Sequence, residues 1–483
     1  MRRLDSNSAV LGVRTKLAYG VGAVSYGVKN NGFDYYLLIF YSQVVGLDAH
    51  LAGIALFIAL FFDAISDPVI GYWSDNLHSR WGRRHPFMYA SAIPVAASYF
   101  LLWSPSVDWS QTTLFAYLLG LSVLIRTFIT MYETPSSALS AELTHHYEER
   151  SLLMSYRYYF SWTGGNLMNI FMFFVAVPLF TIPGVQEGLN NPASYEIYGI
   201  FGSILMLTTI IISAAGTQST VQHLNAPPPR RSLTLLRIFK ELIETLANRD
   251  FMMLFLSAIF GAIAQGLAAA LNLYFALYFW EFTTSQAGIL SIGYFASAIF
   301  GFFLAPRITR WVGKKRGAIL IGILAFVGSP LPIVLRLLDV LPPNGEPSLF
   351  IFVLTTHIID YGLIICFQIL VASMVADLVE QSELKTGRRS EGVFFAAITF
   401  VRKTVQGLGI LAASAVLALA HFPTGADVAM VTDSQLFNLG LYYVPSVLAL
   451  WILMTLTIGG YRISKSSHEE TLKLLGRTPE NAE

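Results

Sequence analysis

Two carboxylates, Asp63 and Asp67, stand four residues apart in the run Asp63-Ala64-Ile65-Ser66-Asp67-Pro68-Val69-Ile70-Gly71, inside a stretch otherwise suited to hydrocarbon. On an α-helix residues so spaced stack on one face. An ionisable side chain within a bilayer costs at least roughly 2.5–3.5 kcal/mol, so such groups face a water-filled path and mark an ion or substrate route. Pro68 has no N–H and leaves the carbonyl of Ala64, one turn back, without its helical donor. Two carboxylates, the Ser66 hydroxyl and a released carbonyl are the oxygen set that a proton or a hard monovalent cation requires. A blander reading has one Asp capping a helix end or pairing with a basic neighbour.

Other ionisable residues fall in apolar surroundings as well. Arg126, Thr130 and Glu133 are spaced i, i+4 and i+7, so they share a helix face, and Pro135 frees the carbonyl of Met131 as Pro68 frees that of Ala64. Arg126 reads equally as an internal partner for Glu133 or Asp63 and as a substrate ligand. Near the start, Lys29, Asn30, Asn31 and Asp34 interrupt an apolar helix; Lys29 and Asp34 could satisfy each other across about one turn. Lys403 lies about 18 Å into its own apolar span, near mid-bilayer, with Arg402 about 100° around the helix from it. Asp34, Asp63, Asp67 and Glu133 thus stand against Lys29, Arg126, Arg157 and Lys403, the near-neutrality that a low-dielectric interior demands.

These groups need membrane helices to position them, and the composition supplies them. Of 483 residues 54% are hydrophobic and only 13% charged, with 35 Phe; that charge fraction is about half that of soluble proteins, which identifies a polytopic membrane protein. The net charge of +1 gives no basic surface for nucleic acid. One cysteine, Cys366, rules out an internal disulfide and a cysteine metal cluster. Residues 1–14 are polar and basic without an apolar core, so they read as a cytoplasmic tail and not as a cleaved signal.

Hydropathy and turn residues predict twelve spans, about 17–45, 51–73, 87–103, 112–135, 152–180, 196–216, 251–279, 287–305, 318–337, 349–376, 391–420 and 436–460. Loops after odd-numbered spans carry no Lys or Arg, whereas those after even-numbered spans hold the basic residues, which puts both termini in the cytoplasm. The predicted architecture is an all-α membrane protein of two six-helix bundles, 1–216 and 251–460, joined by a cytoplasmic linker over 217–250 and followed by a tail over 461–483. The linker contains Pro227-Pro228-Pro229-Arg230-Arg231 and then a basic amphipathic stretch suited to lie on the inner leaflet. Trp81-Gly82-Arg83-Arg84 closes the turn after span two and Trp311-Val312-Gly313-Lys314-Lys315-Arg316 the turn after span eight, which argues for an internal duplication. Asp75, Arg80, Arg83, Arg84, Asp377 and Glu380 read as cytoplasmic latches between bundles, or simply as topogenic charge.

Tyr19-Gly20-Val21-Gly22 near the start, Val44-Val45-Gly46-Leu47, the Asp63-Ala-x-x-Asp67-Pro68 and Ser79-Arg80-Trp81-Gly82 block, Met374-Val375-Ala376-Asp377 with Glu391 beyond it, and Lys403 together resemble the glycoside–pentoside–hexuronide:cation symporters of the major facilitator superfamily. That resemblance spans both halves and implies two bundles around a cavity, alternating access, and coupling to Na⁺, Li⁺ or H⁺. It implies a cation site of Asp63, Ser66, Asp67, Thr130 and Glu133, and a substrate site with Glu133, Arg157 and Lys403, to which Arg126 and Lys29 are candidates to add. The family's Lys-Asp on helix one is replaced by Tyr26-Gly27, and a helix-four tryptophan by Ser137, which argues against galactosides of the usual kind. Asp34, seven residues after Gly27, could take the place of the missing acid.

The expected function is cation-coupled symport, with Na⁺ or H⁺, of a sugar, glycoside or hexuronide by a monomer in the inner or plasma membrane. No cofactor and no metal beyond a coupling Na⁺ is expected; the partners are a small-molecule substrate and membrane lipid. Two other readings remain: a lysolipid or amphiphile symporter of the same superfamily, and a transport-dead membrane sensor. Nucleophile–base pairs, phosphate loops and metal constellations are missing from the sequence, so an enzyme is not expected.

Overall fold

The computed structural model describes residues 11–77, 79–143, 147–182, 188–219, 249–386, 405, 407–424 and 430–462. Within some of these helices the side chains of single residues, including Asp75, Asp377 and Glu380, lie outside the description. The chain divides into two compact units, Met1–Ser232 and Leu233–Glu483. The linker stretch 220–248, the tail from 463 and Lys403 lie outside the described residues.

The first unit begins with α1, which runs from Val13–Val21 through Val24–Asn31 and passes through two π-helical turns, Gly32–Tyr36 and Phe40–Val44. It continues with α2 (Ala49–Asn76), α3 (His85–Leu102) and α4 (Gln111–Leu143). Then α5 runs over Tyr147–Phe171 and on through a π turn to Val177–Phe180, and α6 covers Pro192–Gln218. The second unit contains α7 (Arg249–Tyr274 with the π turn Phe275–Phe279), α8 (Thr284–Val312), and α9 (Lys314–Gly328 and Leu331–Leu337). It is completed by α10 (Pro347–Thr386), α11 (described over Gly407–Leu419) and α12 (Asp433–Gly459). Each coincides with one predicted span, α11 in part only. Among the described residues, 8 helices are long and apolar enough to cross a membrane. The longest overruns are α4 to Leu143 and α10 to Thr386. Hydropathy marks where hydrocarbon ends; the backbone goes on coiling because the next residues, such as Leu378, Glu380 and Leu384, still favour helix.

The duplication expected from the two basic glycine turns extends further than those turns. In the first unit α2 packs on α4, α3 on α4 and α6, and α1 on α6; in the second α8 packs on α10, α9 on α10 and α12, and α7 on α12. Each of these pairs recurs six helices on. Gly82 and Gly313 have φ of 83° and 81°, the left-handed region open to glycine without the roughly 1–2 kcal/mol that a β-carbon costs. The exits of α1 and α7 match as well. After their π turns the N–H groups of Val45 and Leu47 donate to the carbonyls of Phe40 and Tyr41, and those of Trp280 and Phe282 donate to Phe275 and Ala276. Asp48 then caps α2 through the His50 and Leu51 N–H groups, and Thr283 caps α8 in a capping box with Gln286.

Candidate functional site

The α2–α4 contact of the first unit gathers the acids picked out by spacing. Asp63 is buried, and its Oδ2 lies 3.1 Å from Arg126 Nη1. The Thr130 hydroxyl, one turn along α4 and also buried, is 3.0 Å from Asp63 Oδ1 and 2.9 Å from Asp67 Oδ1. Helical geometry places Asp63 above Asp67 on α2 and Arg126 above Thr130 on α4, so the two faces mesh. The Ser66 hydroxyl donates instead to the carbonyl of Asp63, at 3.0 Å, so Thr130 is the hydroxyl that joins the carboxylates. Phe33 of α1 closes one side, its ring 4.7 Å from the Arg126 guanidinium, a cation–π contact in a dry setting.

One turn beyond Thr130 on α4, Glu133 Oε2 pairs with Arg157 Nη2 of α5 at 2.6 Å. Arg157 Nη1 also donates to Ser136 Oγ at 2.9 Å, and the Tyr19 ring lies 5.8 Å from the guanidinium. Of the two readings open for Arg126, the geometry selects the internal partner of Asp63. Both arginines therefore already hold a carboxylate. Two guanidinium charges against Asp63, Asp67 and Glu133 leave one acid in excess among these residues.

Thr130 itself adds a constraint. A hydroxyl carries one proton and can donate to one acceptor. With carboxylate oxygens within 3.0 Å on both sides, it can donate to Asp63 or to Asp67 but not to both with its one proton.

Further candidates lie on α1 and in the basic turn. Lys29 is buried in α1 with its Nζ 4.8 Å from the Tyr26 ring, and Asp34 lies in the first π turn. The expectation that Asp34 shares the face of Gly27 needs uninterrupted α geometry. The π turn over Gly32–Tyr36 adds a residue and rotates the remainder of the helix, so that register does not hold. Gly27 itself is a packing position, because a Cβ there would land on the Ser161 carbonyl oxygen of α5. The absent helix-one acid therefore leaves no gap; α5 backbone fills it. Of the basic turn, Arg80 is exposed, Arg83 half-buried, and Arg84 is buried with Nη1 3.3 Å from the Pro135 carbonyl of α4. His85 is buried 3.0 Å from Thr217 Oγ1.

Sequence reasoning missed a buried polar link beside the site. Asn31 Nδ2 donates to Asn169 Oδ1 at 2.8 Å, Tyr36 donates to that same oxygen at 2.9 Å, and Tyr198 donates to Asn31 Oδ1 at 2.8 Å. It ties α1, α5 and α6 together. Asn169 and Asn31 in otherwise apolar helices were the available signal. Ser136, next to Pro135, was missed too.

A family model described as MFS/sugar transport protein matches residues 18–465. The chain belongs to that family. Its proteins are transporters of the major facilitator superfamily and not enzymes, in keeping with the glycoside–pentoside–hexuronide:cation resemblance. An uncharacterized symporter of Synechocystis is 26% identical over 97% of each chain. The inner membrane symporter YicJ of Escherichia coli is 25% identical, covering 83% of this chain and 82% of that protein. An isoprimeverose transporter of Lactiplantibacillus pentosus is 25% identical over 77% of this chain and 73% of its own. Among solved structures, the inward-open xylose transporter XylE of E. coli matches at TM-score 0.57, with 13% identity over 95% of this chain and 98% of that one. The nucleoside transporter NupG matches at 0.59, with 12% identity over 94% and 99%. At such identity the likeness concerns the fold, that of the major facilitators. The apolar helices and the inner-membrane relative make this family member an integral protein of the cytoplasmic membrane.

Proposed function

We propose that the chain is a cation-coupled symporter that carries a sugar or glycoside by alternating access, with Na⁺ or H⁺ as the coupling ion and both termini cytoplasmic. One observation carries the reading: the Thr130 hydroxyl lies between the carboxylates of Asp63 and Asp67 at the α2–α4 contact. A cation or proton entering there removes the repulsion of the two carboxylates and loosens the hold of Arg126 on Asp63. Substrate binding then shares free energy with that event, typically 1–3 kcal/mol, and the effect is reciprocal: substrate tightens cation binding by the factor by which cation tightens substrate.

A relative that transports isoprimeverose and another named as a glycoside/cation symporter support a saccharide substrate. The engagement of Arg126 with Asp63 and of Arg157 with Glu133 favours a neutral sugar over a hexuronide, since an anionic substrate would have to displace a buried carboxylate from its guanidinium, at a cost of several kcal/mol. The test is saccharide uptake into membrane vesicles under imposed Na⁺ and pH gradients. Asp67→Asn is expected to bind and equilibrate substrate yet fail to accumulate it. Uphill accumulation equal to that of the native protein would remove Asp67 from the coupling site.

A further inference from the structure

The second unit holds a carboxyl group in the middle of a membrane helix for which cation coupling at the α2–α4 contact has no use. Asp360 lies thirteen residues into α10 and is 6% exposed. Its Oδ1 has no hydrogen-bond partner among the described residues, and it faces Gly328 of α9, where a Cβ would sit 3.4 Å from that oxygen. His357, one turn earlier on the same face of α10, has a buried Nε2 that also lacks a partner among the described residues. Its ring is held 4.9 Å from that of Tyr294 on α8 and 4.4 Å from that of Tyr361.

Among the described residues, the groups around this pair carry no positive charge. From α10 come His357 and Tyr361; from α8, Tyr294, which receives a hydrogen bond from Asn272 of α7 at 3.4 Å; from the end of the first α9 segment, Ser329; and from α12, Tyr443. Arg336, the basic residue near the end of α9, donates to the Pro342 carbonyl at 3.0 Å. An ionised carboxylate buried here without a cation beside it costs several kcal/mol. A hard metal ion would need a second acid, and the phenols and imidazole here supply none. What fits one carboxyl and one imidazole is a proton.

Asp360 stands where α10 packs on α9 with α12 beside it, whereas the close approach of Gly301 to the Gly362 carbonyl marks the separate face that α10 turns to α8. We infer that Asp360, one turn along α10 from the His357 imidazole, is a proton-binding site of the second unit at its α9–α10 contact. A proton from water joins the Asp360 carboxylate and leaves it again; no other co-reactant is involved.

The test is infrared difference spectroscopy of the full chain in lipid nanodiscs, titrated with pH and repeated in D₂O. The native protein is expected to show a protonated-carboxyl C=O band that shifts in D₂O, fades at high pH and is lost in Asp360→Asn. Asp360→Glu, which keeps the acid, is expected to move the band and not abolish it, so a folding failure of the Asn variant leaves the question decidable. Asp63→Asn, in the other unit, should leave the band in place; its retention there separates this site from the proposed coupling site, whose failure would not touch it. A band insensitive to both Asp360 substitutions, or no protonated band at any pH, overturns the assignment.

Discussion

Replacing Arg126 by methionine isolates the claim that Asp63 alternates between an internal partner and a cation. The guanidinium and carboxylate are 3.1 Å apart with 3% and 6% of their side chains exposed. At an effective dielectric constant of about 20 that separation corresponds to an attraction of about 5 kcal/mol, before either group's desolvation is counted. Methionine keeps an apolar arm against Phe33 and removes the charge. In cation-free buffer Asp63 is then buried without its partner, a loss of about 3–5 kcal/mol, and the melting temperature should fall. Na⁺ or H⁺ no longer competes with an arginine, and giving back only about 1.4 kcal/mol of the attraction amounts to tenfold tighter cation binding. The assay is thermal unfolding in detergent across a cation titration, with substrate accumulation in proteoliposomes alongside. Arg126→Met should melt lower than native protein without cation, converge on it as cation is added, and respond at tenfold lower concentration or less. A cation midpoint equal to or weaker than the native one would refute the idea that Arg126 and the cation compete for Asp63.

The packing carries other consequences. Gly27→Ala should destabilise the first unit by about 1–3 kcal/mol, because the new Cβ meets the Ser161 carbonyl, whereas Gly120→Ala, with nothing within 4 Å of its Cβ, serves as the neutral comparison in the same melting assay. Tyr198→Phe leaves Asn31 Oδ1 without the 2.8 Å donor it has now; a cost of about 1–3 kcal/mol is expected, read as a lower melting temperature and faster amide exchange in α1 and α6. Gly82→Ala and Gly313→Ala, at φ of 83° and 81°, should each cost about 1–2 kcal/mol, equal for the two turns if they are copies of one structure and unequal if they are not.

The sequence by itself determined the spans, because hydrocarbon imposes about 20 apolar residues on any crossing helix and the loops between them are short and distinctive. It also determined that Asp63 and Asp67 share a face and that Arg126, Thr130 and Glu133 share another, since these are local consequences of 3.6 residues per turn. Local periodicity could not say which face meets which. That Arg126 takes Asp63 and Arg157 takes Glu133 was decided by the α2–α4 and α4–α5 contacts, where the alternatives differ by several kcal/mol of buried charge. Nor could it foresee the π turn before Asp34, because one extra residue in a turn follows from packing rather than from residue type. Asp360 was in plain view within an apolar span, yet only the surrounding helices reveal that it is buried beside the Ser329 hydroxyl of α9. Burial is a property of the assembled helices, and it is burial that turns an ordinary acid into one that must hold a proton, an arginine or a metal ion.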